Sequence, residues 1–283
     1  MKKVIVCLCA YMTLTMAFSS KLVSADETNP IADQMRVAEH LSRIYKLIDW
    51  RGSDLLPFDV FEKAYRGYIN LRNAGKLSLD KQILTVCDFA LPSSFNRMWI
   101  IDLIARKVIF NTYVAHGQGS GEDCELSFSN KSSTHKSSLG FYVTKDTYDG
   151  EHGTSLHLEG MDDGFNDAAY ERGIVVHGAD YVSEQFVNSK ERLGRSWGCP
   201  AVPSKLSLPI INTIKDGTCL FIYYPETKYL NTAYWLNKKV AHLPETGIFD
   251  DMASVVTPKP RMRIVQYITN GKVDSVKTVP IGQ

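Results

Sequence analysis

The residues able to do chemistry fall in two short segments. Residues 174–179 read Ile-Val-Val-His-Gly-Ala, an apolar run ending in a histidine and a glycine. Residues 194–201 read Gly-Arg-Ser-Trp-Gly-Cys-Pro-Ala, a polar turn that presents Cys199 between a glycine and a proline. A free thiol ionises near a pKa of about 8.5, so at neutral pH it needs help to become a nucleophile. An imidazole within hydrogen-bond reach supplies that help as a general base or as the partner of a thiolate, which is the role predicted for His177. A third group must fix the imidazole's tautomer; the Gly178 carbonyl is the first candidate and Asp180 a weaker one. Gly198 permits close approach of a substrate. The amides of Gly198 and Cys199 are candidate donors to a developing oxyanion, and Pro200 stiffens the turn. The histidine precedes the cysteine, the reverse of the papain-like order.

The neighbouring residues carry weaker signals. The Arg195 guanidinium is suited to binding a carboxylate, although a solvated loop arginine has the same sequence signature. Ser196 either touches substrate or shapes the turn. His116, within Ala-His-Gly-Gln-Gly-Ser-Gly at 115–121, is expected to line the cleft; without a strand–loop–helix context this glycine pattern is no nucleotide site. His152 and His157 have no metal-ligand spacing relative to His177, and no metal is predicted. Cys219 alternates with Phe221 and Tyr223 and reads as core. Whether Cys87 and Cys124 pair is left open.

These segments resemble the catalytic signature of the murein L,D-transpeptidases of the YkuD type, a His-Gly followed downstream by Ser-His-Gly-Cys. Here His177-Gly178 precedes Ser196-Trp197-Gly198-Cys199 by an interval longer than in the commoner branch. Trp197 replaces that branch's second histidine, and Pro200-Ala201 replaces its usual ending. The Gly-Arg-Ser-x-Gly-Cys-Pro-Ala form is similar to a sister branch, as are Asp88-Phe89, His116-Gly117, Phe128-Ser129-Asn130, Ser138-Leu139-Gly140-Phe141-Tyr142 and His177-Gly178-Ala179. The resemblance spans roughly residues 85–225. It implies that Cys199 attacks the carbonyl of the third residue of a peptidoglycan tetrapeptide stem, with His177 as base and the Gly178 carbonyl orienting it. The terminal D-alanine leaves and an amine on a neighbouring stem takes the acyl group. Water in place of the amine gives an L,D-carboxypeptidase. A wall-binding protein with a degenerate site is the non-enzymatic rival, and the intact Cys199–His177 pair argues against it. The chemistry needs neither metal nor organic cofactor.

The elements that must position this pair are mostly β. Segments 83–87, 97–103 and 107–114 are rich in β-branched and aromatic residues, with 104–106 as a hairpin turn between the last two. Segments 173–177 and 218–224 are further apolar strands, and 203–215 reads as a short helix between them. The predicted architecture is mainly β, a mixed-sheet sandwich or partly closed barrel, with an N-terminal helical cap. In the cap, Asn29-Pro30 starts a helix whose apolar face is Ile31, Met35, Ala38, Leu41, Tyr45 and Ile48. A second helix carries Phe58, Phe61, Tyr65, Tyr68 and Leu71 and closes at Gly75. Near the C-terminus, Asn270-Gly271 between two β-rich runs signals a hairpin.

Lys2 and Lys3, a short apolar run over 4–18 and Val23-Ser24-Ala25 have the form of a cleavable export signal rather than a retained anchor. The resulting division is a signal peptide at 1–25, the helical cap at 26–80, the catalytic domain at 81–225 and a C-terminal extension at 226–283. No later segment is apolar enough to span a bilayer, so an exported protein of the periplasm or cell envelope is expected. With 32 basic against 31 acidic residues the net charge is +1, which excludes the strong basic excess typical of nucleic-acid binders. The partner expected is the peptide stem of peptidoglycan; oligomeric state is not legible.

Overall fold

A computed structural model describes residues 30–244, 262–269 and 272–280. The export signal and Asn29 lie outside the described residues. The chain opens with two helices, α1 (Pro30–Leu47) and α2 (Phe58–Asn73). On α2, Phe61, Tyr65 and Tyr68 lie on one face and stack in succession, with ring centroids 5.4 and 5.7 Å apart. A positive-φ Gly75 follows the helix. The expected face of α1 is corrected. Burial begins at Val37 and runs through His40, Leu41, Ile44 and Tyr45, whereas Ile31 and Met35 are exposed. The helix packs only through its second half, so the apolar residues of its first turns have no layer to cover.

Eight strands form one mixed sheet: β1 (Ile83–Asp88), β2 (Met98–Asp102), β3 (Lys107–Thr112), β4 (Gly140–Gly150), β5 (Gly153–Gly160), β6 (Val175–Ala179), β7 (Ala201–Pro203) and β8 (Cys219–Tyr223). Their order is β3-β2-β1-β8-β4-β5-β6-β7. The β1–β8 and β6–β7 pairs are parallel and the others antiparallel. The two edges nearly meet. Just past β3, Ala115 bridges Ala201 in β7, and Gly117 bridges Ser196 before it. Of the two expected architectures, the partly closed barrel is the one observed. The helix predicted over 203–215 is α4 (Ser204–Ile214), and a short α3 (Glu184–Lys190) precedes it. The hairpin β4–β5 was not anticipated.

One apolar core joins the helices to the sheet. Gly67 of α2 is where helix and sheet touch most closely, since a Cβ there would run into the Phe141 ring of β4. Polar ties hold the cap: Trp99 Nε1 donates to the Asp54 carbonyl at 2.7 Å and Tyr45 Oη to that of Leu56 at 2.6 Å. After β8, α5 (Thr227–Thr232) and α6 (Tyr234–Asn237) return to α2, where Asn70 Nδ2 donates to the carbonyls of Trp235 and Lys238. Of the predicted C-terminal hairpin the two strands are described, β9 (Met262–Thr269) and β10 (Lys272–Pro280), an antiparallel two-stranded sheet of its own, while the Asn270-Gly271 turn lies outside the described residues. Among the described residues no helix is long and apolar enough to cross a membrane.

Candidate active site

His177 is the third residue of β6, a strand buried along its whole length. The parallel pairing with β7 sets His177 opposite Ala201, two residues after Cys199. Two segments distant in sequence, the apolar strand and the Gly-Cys-Pro turn, therefore lie side by side. His177 Nδ1 is 3.0 Å from the carbonyl oxygen of its own neighbour, Gly178. A carbonyl only accepts, so Nδ1 carries the proton and Nε2 is left with the lone pair. Burial lowers the pKa of His177, the Gly178 bond works against that, and the charge of nearby His152 lowers it further. Asp180, the other candidate orienter, instead accepts from Ser204 Oγ at 2.6 Å, at the start of α4.

The Cys199 turn is pinned at both ends. Ser196 exchanges backbone bonds with 116–118, and Ala201 does so with Ala115. Inside the turn, Ser196 Oγ donates to the Cys199 carbonyl at 2.6 Å and accepts from the Gly198 amide at 3.1 Å. Ser196 thus shapes the turn. The expectation that the Gly198 amide serves as an oxyanion donor is corrected, because that amide is already spent on Ser196. Among the described residues the Cys199 amide donates to no acceptor. Gly198 itself is demanded by the backbone: its φ is +122°, and a Cβ would lie 2.8 Å from the Lys136 carbonyl oxygen.

The thiol of Cys199 is half-buried and held by main chain. Its sulfur accepts from the Val175 amide at 3.5 Å and donates to the Gly173 carbonyl at 3.7 Å. No hydrogen bond joins it to His177. Burial raises the thiol pKa, while the Val175 amide and the charge of Arg172 lower it. A resting, protonated thiol beside a neutral imidazole follows from these directions.

His116 does not line the cleft, which corrects the sequence expectation. It is fully buried, with Arg97 donating to its Nδ1 at 2.8 Å and its Nε2 3.3 Å from the Gly121 carbonyl. Burial, then the neighbouring Arg97 charge, pushes its pKa down to about 3. Both ring nitrogens are therefore committed, Nδ1 to a buried network of Arg97, Glu125 and Ser137 and Nε2 to the Gly121 carbonyl. Arg195 is also engaged, donating to Glu122 at 2.8 Å and to the Gly121 carbonyl at 2.9 Å. It lines an open depression over 118–127 that includes neither Cys199 nor His177. Cys87, Cys124, Cys199 and Cys219 are all free; Cys87 and Cys219 are buried and Cys124 is exposed.

Three further residues come to the site, of which the sequence points only to His152, and there only as a rejected metal ligand. His152, in the turn between β4 and β5, stacks on His177. His135 stacks on the exposed Trp197 with ring centroids 4.9 Å apart. Arg172, in the turn before β6, reaches under the Cys199 turn. Their signals are weak in sequence, because each is a lone polar residue in a loop. His157 pairs with Val175 across β5 and β6, and its Nδ1 lies 3.4 Å from Asp146. Among the described residues no group of three or more His, Cys, Asp or Glu is placed to hold a metal ion.

A family model described as the L,D-transpeptidase catalytic domain matches residues 53–223, more than half of the chain. The chain belongs to that family. Among solved structures, an L,D-transpeptidase from Mycobacterium smegmatis is 11% identical over 51% of this chain and 59% of its own, with a TM-score of 0.32. One from Mycobacterium tuberculosis H37Rv is 12% identical over 51% and 58%, with a TM-score of 0.31. One from Stackebrandtia nassauensis is 13% identical over 68% and 92%, also at 0.31. The chain thus spans less than two thirds of the length of the two mycobacterial proteins. No curated protein matches. Membership of the L,D-transpeptidase family rests on the family match alone, which covers α2 and the whole eight-stranded sheet.

Proposed function

We propose that this protein is an exported peptidoglycan L,D-transpeptidase in which Cys199 is the nucleophile and His177 the base. The observation that carries the reading is the tautomer fixed by Gly178, which leaves His177 Nε2 as a proton acceptor on the strand that flanks the Cys199 turn. The thiol leaves its resting contact with the Gly173 carbonyl, and its proton passes to Nε2. The thiolate attacks the carbonyl carbon of the third stem residue, and the resulting oxyanion accepts from the unspent Cys199 amide. Collapse expels D-alanine, whose amine takes the proton back from His177. An amine of a neighbouring stem then attacks the thioester, giving its proton through His177 to the departing Cys199 sulfur and forming the cross-link.

The same reading takes residues 1–25 as the export signal and places the mature chain in the periplasm or cell envelope. The helices before β1 act as a cap on the catalytic domain, and the segment after β8 is an extension to it. Mass spectrometry of muropeptides incubated with the purified protein tests the proposal. It predicts loss of the terminal D-alanine from tetrapeptide stems together with new cross-linked dimers. Trimmed stems without dimers would make the enzyme an L,D-carboxypeptidase, and unchanged muropeptides would reject both activities.

A further inference from the structure

Arg172 is a permanent charge set against the Cys199 turn and acting on the thiol, and nothing in the family signature includes it. The turn over 166–173 that leads into β6 delivers it, with its own amide bonded to the Ala168 carbonyl. The same turn supplies the Gly173 carbonyl that holds the resting thiol. The guanidinium is fixed by three acceptors of the 129–138 segment. One terminal nitrogen, NH1, donates to the Ser129 carbonyl at 2.8 Å and to Ser138 Oγ. The other, NH2, donates to the Lys136 carbonyl at 2.8 Å. This second nitrogen lies 3.4 Å from where a Gly198 Cβ would stand, next to the cysteine. Three engaged donors out of five hold the fork rigid and leave charge unspent.

Among the described residues no carboxylate pairs with Arg172, which is unusual for a half-buried guanidinium. All its fixed partners are neutral oxygens. Two further titratable groups near the sulfur, His177 and Tyr181, are held neutral at neutral pH. His177 is lowered by burial, and Tyr181 is pushed up to about 12 by burial and, to a lesser extent, by the cysteine itself. His152 stands behind the His177 ring. A cation without an anion, beside a thiol that must become one, has a counter-ion only once the sulfur ionises.

We propose that Arg172 is the positioning cation of the nucleophile: its fixed charge favours the Cys199 thiolate over the thiol, through space and without taking a proton. The inference rests on Cys199 being the nucleophile. It is tested by the pH dependence of Cys199 alkylation with iodoacetamide, read on the Cys199 peptide by mass spectrometry. Arg172→Gln keeps an amide donor and loses the charge; Arg172→Lys keeps the charge and loses the fork. Arg172→Met, which retains the stem, stands in where Gln disturbs folding, and protection of Cys219 in the same digest reports that each variant is folded. An opposite charge near a titrating group typically moves its pKa by about one unit or more. The neutral variants should therefore shift the alkylation midpoint up by about one unit and slow the reaction at pH 7 about tenfold. The lysine variant should stay within about threefold of the parent. An unmoved midpoint in a folded neutral variant, or a lysine variant displaced as far as glutamine, overturns the proposal. The measurement needs no wall substrate, so its failure is distinguishable from failure of the transpeptidase assignment, which the muropeptide assay scores.

Discussion

The imidazole of His152 stacks on that of His177, with ring centroids 4.5 Å apart and planes inclined by 21°. His177 thus has a second titratable ring covering one face. Burial, to which the covering ring contributes, lowers the pKa of His177 most, and the coulombic effect of His152 lowers it further.

His152→Ala removes both effects, so the His177 pKa rises. The base then becomes protonated at higher pH, and the acidic limb of the pH–rate profile should move toward neutrality. Stopped-time acylation assays between pH 4 and 8 check this. A limb that stays in place or moves to lower pH would refute the coupling.

His116 is buried as a neutral ring with its pKa depressed to about 3, below the ordinary value of 6.5. The unfolded chain takes up a proton below pH 6.5 that the folded chain refuses. Its contribution to stability is therefore complete above pH 6.5 and declines as pH falls from there toward 3. Comparing thermal unfolding of the parent and His116→Gln across this range isolates that slope. The parent should lose Tm more steeply on acidification. At neutral pH the substitution should cost about 1–3 kcal/mol, the scale for leaving a buried partner such as Arg97 short of an acceptor. Parallel slopes would show that the ring is not held neutral.

Gly198→Ala places a methyl group 2.8 Å from the Lys136 carbonyl oxygen at a backbone φ of +122°. The turn must distort, and with it the Cys199 amide. An acylation rate at least about tenfold lower is expected, with a stability loss of about 1–3 kcal/mol. Kinetics and melting measured on the same preparation check both. Parent-like acylation would mean that the turn geometry is not what positions the nucleophile.

The four described thiols should separate by burial. Cys199 and the exposed Cys124 should take up a thiol reagent in the folded protein. Cys87 and Cys219 should not, because burial removes access and raises both pKa values well above the ordinary thiol range. Peptide mapping before and after unfolding reads this directly. Labelling of Cys219 at the Cys199 rate would contradict the packing of β8.

Cys199 and His177, the proposed nucleophile and base, stood out in the sequence because each is an unusual residue in a short, strongly patterned segment. The β6–β7 register that brings them together did not, since β7 is three residues long and no periodicity marks it. The β4–β5 hairpin escaped for a related reason. The outer half of β4, from Lys145, is largely exposed and polar, so half of the hairpin has no apolar alternation to read. His116 misled because a histidine among glycines looks like a loop residue. Its role comes from Arg97, 19 positions earlier in the chain, which a linear reading does not pair with it. Arg172 was invisible in the same way: its partners at 129–138 are set by tertiary packing.

The covalent step tests the central claim most directly. L,D-transpeptidases as a family are acylated by carbapenems, so intact-mass spectrometry after incubation with one should show a single adduct on the parent protein. The adduct should map to Cys199. His177→Ala should still acylate, about a hundredfold or more slowly at pH 7, and should recover as pH approaches the thiol's own pKa. Cys199→Ala should remain at its unmodified mass. Uptake of the adduct by Cys199→Ala would contradict the account.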